Sequence, residues 1–360
     1  MKINIFLNFI EDHRISMNTV GQLTADYLKK YSDNCTVNRF LPTIGTLERF
    51  VPSDIWKMRV ARYFTYPRVI KNLETVDISH IIDHQYAHLV HKINSKVKIV
   101  TVHDLVPLIF TKLLKKNPYL IKQSLSYLKF FDKVIAVSHN TKADILKHTD
   151  CPKDKIEVMH FPVEEFFNTS IINNKQICEK FKIPVNKKKI LVAGISFYKN
   201  LDTSLKVFKN LIDRNIDVVF IKLGYFKDIK IEDRYKDKIF QITNLTRQEV
   251  SEIYKITDVL LFPSIYEGYG LPTLEAMKSG VPVVCSNSSS LPEIVDGAAL
   301  MSDYADVNFF TDAVYRLLTD QQFYNQKQKE GIRRAEFFDI PKYTNDLINL
   351  YKSCLFNIRE

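Results

Sequence analysis

Glu267 and Glu275 stand with seven residues between them in the stretch FPSIYEGYGLPTLEAMKSGVPV, which begins at Phe262. An ionised carboxylate only accepts hydrogen bonds, so such a pair suits a ligand rich in hydroxyls, such as a sugar or a ribose diol. Gly268 and Gly270 flank Tyr269 and let the backbone turn sharply and approach a ligand closely. Leu271 and Pro272 follow, and a proline suits the first turn of a helix, where its missing N–H is no loss. That helix is predicted to run through Lys278 and to stop at Gly280. Ahead of the turn, Asp258–Phe262 is a continuous apolar run, the pattern of a strand buried on both faces. A helix that starts just past such a strand presents bare N–H groups and the positive end of its dipole, an anion site suited to a diphosphate. Acceptors for hydroxyls and donors for phosphate at one corner describe a site for an activated sugar. Either glutamate alone reads more simply as a helix-start or solvated turn residue; beside the two glycines and Pro272 the ligand-binding reading is the better one.

Three other places carry chemistry. Lys189–Ala193 (KILVA) is a strand that ends in Gly194-Ile195-Ser196-Phe197-Tyr198-Lys199, which sets Lys199, with Ser196 as a further candidate, where a cation could meet a phosphate. Lys96–Thr101 (KVKIVT) is a strand followed by Val102-His103-Asp104, and a histidine and an aspartate at the carboxyl end of a parallel strand sit where open α/β sheets bind ligands. The strand Asp132–Val137 leads to Ser138, a third candidate, and Ser138 or Asn140 is expected to cap a helix.

The first stretch resembles the signature of the retaining, nucleotide-sugar-dependent glycosyltransferases of family 4, F-P-S-x-x-E-G-[FY]-G-x-P-x-[LI]-E-A-M, and the chain has every element of it, with the trailing G-V-P-V and S-L-P-E. The segment T-x-H-D-L-x-P around His103 is similar to one found in bacterial sugar transferases of that family. The resemblance implies a GT-B fold, α/β, with two Rossmann-like doubly wound domains facing across a cleft. It further implies transfer of a mannose- or glucose-type hexose from a GDP- or UDP-linked donor to a glycan or lipid-linked glycan, with the anomeric configuration retained, in polysaccharide or lipopolysaccharide synthesis. On that resemblance Glu275 accepts from the ribose, Glu267 from the hexose, Lys199 and the backbone from Gly268 to Leu271 hold the diphosphate, and His103 faces the sugar from the first domain. Two departures stand out. Ile195 replaces the arginine usual after the glycine, in a loop one residue shorter. The paired glycines of the first loop are absent, with only Gly21 nearby.

Strand–helix alternation runs twice along the 360 residues, which predicts an acceptor domain over 1–165 and a donor domain over 166–340, with a last helix, 341–360, returning to the first. The polar, lysine-rich segment Glu164–Lys189 reads as the domain connection plus an approach segment, with room for a short helix near Cys178. Residues 10–18 read as a polar turn ahead of a helix from Thr19 to Lys30. Thr246 and Glu249 make a capping box. Five scattered cysteines without a C-x-x-C indicate neither a disulfide framework nor zinc, and no apolar run would span a bilayer, so a reducing cytoplasm is expected. The apolar start, MKINIFLNFIEDH, reads as a first strand rather than a signal peptide, because acidic residues follow it and no small-residue cleavage site appears. No Asp-x-Asp pair appears, which gives an expectation of activity without metal or other cofactor. The net charge is +10, and residues 1–180 carry 26 basic against 18 acidic side chains, so the excess lies in the first half. Within it, Asp54–Asn72 interleaves Trp56, Tyr63 and Phe64 with Lys57, Arg59, Arg62, Arg68 and Lys71. That pattern fits either a peripheral contact with an anionic membrane face or a core helix with a wet basic side. Nothing resembles a nucleic-acid-binding motif. The alternatives on this architecture are a non-hydrolysing nucleotide-sugar epimerase and a non-catalytic partner subunit.

Overall fold

The structure, a computed structural model, describes residues 1–12, 15–32, 34–44, 51, 53–114, 117–225 and 231–357. The chain forms two compact units, Met1–Phe161 with Ile340–Glu360, and Pro162–Asp339.

The first unit holds six parallel strands, β1 (Lys2–Phe6), β2 (Thr36–Phe40), β3 (Val76–Ile81), β4 (Ser95–Val102), β5 (Lys133–Ala136) and β6 (Ile156–Val158), in the order β2-β1-β3-β4-β5-β6. The order reverses between β1 and β3, the kind of switch point at which open α/β sheets bind ligands beyond the strands' carboxyl ends. The helix Ile340–Phe356 belongs to this unit. It is fastened by Tyr351, whose hydroxyl lies 2.7 Å from His80 Nδ1, while His80 Nε2 lies 2.7 Å from Thr101 Oγ1. Burial, with His103 adding to it, pushes His80 down to about 3, so the ring in this bridge is neutral.

The second unit repeats the plan with β7 (Lys188–Ala193), β8 (Val218–Leu223), β9 (Ile239–Ile242), β10 (Val259–Phe262), β11 (Val283–Ser286) and β12 (Leu300–Ser302), in the order β12-β11-β10-β7-β8-β9, all parallel. Its switch point lies between β7 and β10. Successive residues of these strands face opposite layers. Leu191, Leu260 and Phe262 pack into one apolar cluster, and Ile190, Val192, Val259 and Leu261 into the other. Both layers exclude water, which is why these two strands are written as unbroken apolar runs.

The structure refines three sequence expectations. The helix after β1 runs Ile15–Lys30 and is preceded by a short turn at Ile10–Asp12, so most of the polar stretch is helical; His13 and Arg14 lie outside the described residues. Asn18 is buried there because its Oδ1 accepts the Asn8 N–H at 2.9 Å and its Nδ2 donates back to the Asn8 carbonyl at 3.2 Å. The segment Glu164–Lys189 is no plain connection, since Glu164, Phe167 and Lys189 are all buried. In the basic stretch Trp56 and Phe64 face outward, 57% and 59% exposed, and Ala61, Tyr66 and Ile70 make the buried side.

Candidate active site

The switch point of the second unit brings together the loop after β7 and the turn after β10. Asn200, in the left-handed conformation at φ 55°, donates from Nδ2 to the carbonyls of Pro263 at 3.0 Å and Tyr304 at 2.7 Å. The Ile265 N–H donates to the Tyr198 carbonyl at 2.7 Å. These bonds fix Lys199 over the end of β10, where its ammonium lies 4.8 Å from the Phe262 ring centroid and donates to Glu267 Oε1 at 2.7 Å. Gly194 makes room for this. At φ 97° it lies directly under the lysine stem, and a Cβ there would stand 2.7 Å from Lys199 Cε.

The turn bearing Glu267 is clamped by the serine loop after β11. The Glu267 N–H donates to Ser289 Oγ at 2.7 Å, and Ser290 Oγ donates to the carbonyls of Glu267 at 3.1 Å and Tyr269 at 2.9 Å. Gly268 is half-buried and Gly270 turns at φ 100° to start the helix Leu271–Lys278. A Cβ at Gly270 would meet Leu291 at 2.6 Å, so both backbone conformation and space demand glycine. No side chain caps this helix. Its start is the anion-favouring end read from the sequence.

Glu275, one turn in, is buried, and its Oε1 accepts from Arg247 Nη2 at 2.6 Å. Arg247 also grips Glu164 with two bonds, Nε to Oε1 at 2.7 Å and Nη2 to Oε2 at 2.8 Å. The guanidinium remains a firm cation: burial works against it, but Glu275 and Glu164 more than offset that. Arg247 stands at the start of the helix Arg247–Lys255, whose capping box at Thr246 and Glu249 is present on both sides as the sequence indicated. Sequence reading passed over Arg247 and Glu164, because neither lies in a motif; the one local signal was an arginine at a helix start, where the dipole disfavours it. The expected pair Glu267 and Glu275 thus forms one corner with Lys199, Gly268, Tyr269, Gly270 and Leu271, and each carboxylate already holds a cation.

The remaining candidates behave differently. Ser196 is half-buried ahead of the turn Phe197–Lys199 and makes no side-chain cap there. Ser138 Oγ accepts the Thr141 N–H at 2.9 Å and caps the helix His139–His148, so its oxygen is committed locally. Asp104 Oδ1 likewise accepts the Val106 N–H at 3.0 Å. His103 is half-buried beyond β4, and its Nε2 lies 2.8 Å from the Ile82 carbonyl. A carbonyl can only accept, so Nε2 carries a hydrogen and donates it there. The same edge of the first unit holds a buried network outside the sequence reading. Arg62 donates to both Asp12 oxygens at 2.8 and 2.7 Å, Tyr86 donates to Asp12 as well, and Asn8 Nδ2 donates to Asp83 at 2.7 Å. His88, pushed down to about 4 chiefly by burial, donates to the Arg62 carbonyl at 2.9 Å, as a packed rather than a ligating histidine would.

Comparison with known proteins identifies the family. Residues 30–165 match the family model described as Glycosyltransferase Family 4, and residues 173–334 that described as Glycosyl transferases group 1. The serotype-specific mannosyltransferase WbdA of Escherichia coli is 24% identical over 256 residues, 67% of this chain and 31% of its own length. The O-antigen chain mannosyltransferase B of Escherichia coli is 39% identical over 105 residues, 29% of this chain and 28% of its own. The chain therefore spans about a third of these curated relatives' length. Among solved structures, Anabaena Alr3699/HepE in complex with UDP and glucose superposes with a TM-score of 0.73 at 14% identity, over 98% of this chain and 100% of that one. With two parallel α/β sheets of this order, a GT-B likeness and both family models matched, the chain belongs to the group 1, family 4 glycosyltransferases.

Proposed function

We propose that this chain transfers a hexosyl group, mannose before glucose, from a nucleoside diphosphate sugar to a hydroxyl of a glycan or lipid-linked glycan, with retention, in the building of a surface polysaccharide. The Lys199–Glu267 pair at the switch point carries the reading. An entering diphosphate takes over Lys199, which releases Glu267 to accept from the hexose hydroxyls, while Glu275 accepts from the ribose. The amides from Gly268 to Leu271 add donors for the phosphate oxygens. The C1–O bond to phosphate breaks as the acceptor oxygen bonds to C1 on the same face, and the acceptor proton passes to the departing phosphate. Lys199 and the amides stabilise the charge gathering on that phosphate, commonly the largest electrostatic contribution in such a site. His103 is assigned to the hexose by the family resemblance. The mannose preference rests on the names of the two relatives above.

Incubation with GDP- and UDP-hexoses and a panel of glycan acceptors tests this, with NMR of the product's anomeric proton. The expected result is an acceptor-dependent product of retained configuration, formed equally well in excess chelator. Donor consumption without acceptor, or loss of turnover on chelation with recovery in manganese, would contradict it. Binding of the correct donor should also raise the melting point, by ~2.7 kcal/mol of stabilisation at a hundredfold excess over Kd.

The outward-facing Trp56, Tyr63 and Phe64, with exposed Arg59, Arg68 and Lys71 beside them, favour a peripheral seat on an anionic membrane surface, at the cytoplasmic face where nucleotide sugars are spent. Among the described residues no helix is long and apolar enough to cross a membrane. Sedimentation with phosphatidylglycerol vesicles should be strong at low salt and fall as salt rises, each nearby basic residue contributing ~1 kcal/mol. Equal binding to phosphatidylcholine vesicles would count against an electrostatic seat.

A further inference from the structure

Lys222 is the one lysine in the interior of β8, opposite Val192 of β7, and it is 1% exposed. Burying an ammonium is expensive unless it is compensated. Its partners are two carbonyls: Nζ donates to Gly194 and, at 2.7 Å, to Leu223. Among the described residues no carboxylate forms an ion pair with it. Gly194 and Gly224 end β7 and β8 in matching left-handed turns, φ 97° and 96°, and Lys222 lies under both. Each turn is roofed by one side chain of the phosphate loop, Gly194 by the Lys199 stem and Gly224 by Ile195, whose Cγ2 would stand 2.5 Å from a Cβ there. Lys222 is brought down to about 8, by burial first and by the nearby Lys199 charge second. The loop therefore has one cation of its own, Lys199, already held by Glu267, and an isoleucine in the second cation's place. A second positive charge sits one layer below.

We propose that Lys222 is a positioning residue that supplies the missing second cation of the diphosphate site from beneath, fixing both glycine corners through their carbonyls and acting on the phosphates through space. This rests on the donor-site reading above. It accounts for a buried lysine on a strand whose other residues are all apolar. Inside the protein a charge acts over several ångströms with less screening than in water, so contact with the ligand is not required.

The test compares the full chain with Lys222→Met, which removes charge and donor, and Lys222→Gln, which keeps a donor for the carbonyls and removes the charge. The probes are GDP and UDP, with guanosine and uridine as phosphate-free references. The expected result is that both variants bind the diphosphates about tenfold more weakly (~1.4 kcal/mol) while nucleoside affinity holds. If Lys222→Gln binds GDP and UDP like the natural chain, the lysine only staples the corners and the proposal is overturned. Parallel loss of diphosphate and nucleoside binding would overturn it too, as general disorder of the site. Should Lys222→Met not fold, Lys222→Gln carries the test alone. Failure of the natural chain to bind any nucleoside diphosphate is a separate outcome, and it removes the donor-site reading itself.

Discussion

Replacing Glu267 by glutamine is expected to reduce turnover by about 10²–10³-fold with folding intact, the effect of removing one preorganised charged group from a reacting centre. The amide matches the carboxylate in shape and can still accept from Lys199 through its oxygen. What disappears is the negative charge that competes with the diphosphate for the Lys199 ammonium, now 2.7 Å away. Affinity for the free nucleoside diphosphate should therefore stay level or rise, even as the chemical step slows. Lys199→Met should do the opposite to binding. It takes away the loop's cation and leaves Glu267, whose side chain is only 8% exposed, without its partner beside an incoming anion. Diphosphate affinity should fall by about 1.5–3 kcal/mol, the range of hydrogen bonds to charged groups. The two measurements together identify the site. Glu267→Gln with natural turnover, or with diphosphate affinity lost as in Lys199→Met, would show that the glutamate does not exchange partners with the donor.

Arg247→Met should destabilise the second unit strongly, by about 3–5 kcal/mol, because removing one partner of a buried ion pair strands the other. Here it strands two. Glu164 and Glu275 are 6% and 5% exposed in their side chains and share this guanidinium through three bonds of 2.6–2.8 Å. Without it, two buried carboxylates face one another, and one of them must protonate or swing out. Denaturant midpoints read this directly. Adding Glu164→Gln should restore part of the loss, since the pair is coupled through the arginine and not additive. Nucleoside diphosphate binding should stay weak in the double variant, because Glu275 would still lack the group that aims it. Arg247→Lys keeps a charge without the planar fork and should fall between. A midpoint within ~0.5 kcal/mol of the natural chain for Arg247→Met would mean that water already screens these carboxylates.

How far the sequence could be read differs from element to element. The inner strands β4, β7 and β10 announce themselves, because the buried part of each is apolar on both faces. The strands β2, β9 and β12 lie at sheet edges, and most of their residues are half-buried or exposed. They carry no apolar run, and the sequence offered nothing to find them by. The capping box at Thr246 was legible because both its halves are three residues apart. The partnership of Arg247 with Glu164, 83 positions away, was not. The outward face of Trp56 and Phe64 was ambiguous for a further reason. A helix period says which residues share a face and is silent on which face meets the core.

What the sequence determined by itself is the corner: a buried strand, a turn that only glycines can make, a proline-started helix, and two carboxylates at a fixed interval. Those are local matters, set by backbone sterics and periodicity within some twenty residues. Only the tertiary structure decided what each charge holds. Lys199 and Glu267 meet because β7 and β10, far apart in the chain, are neighbours at the point where the sheet reverses its winding. Lys222 lies under the loop because β8 flanks β7. Sheet order is fixed by how whole strands and helices bury their apolar faces together, and no single segment encodes it.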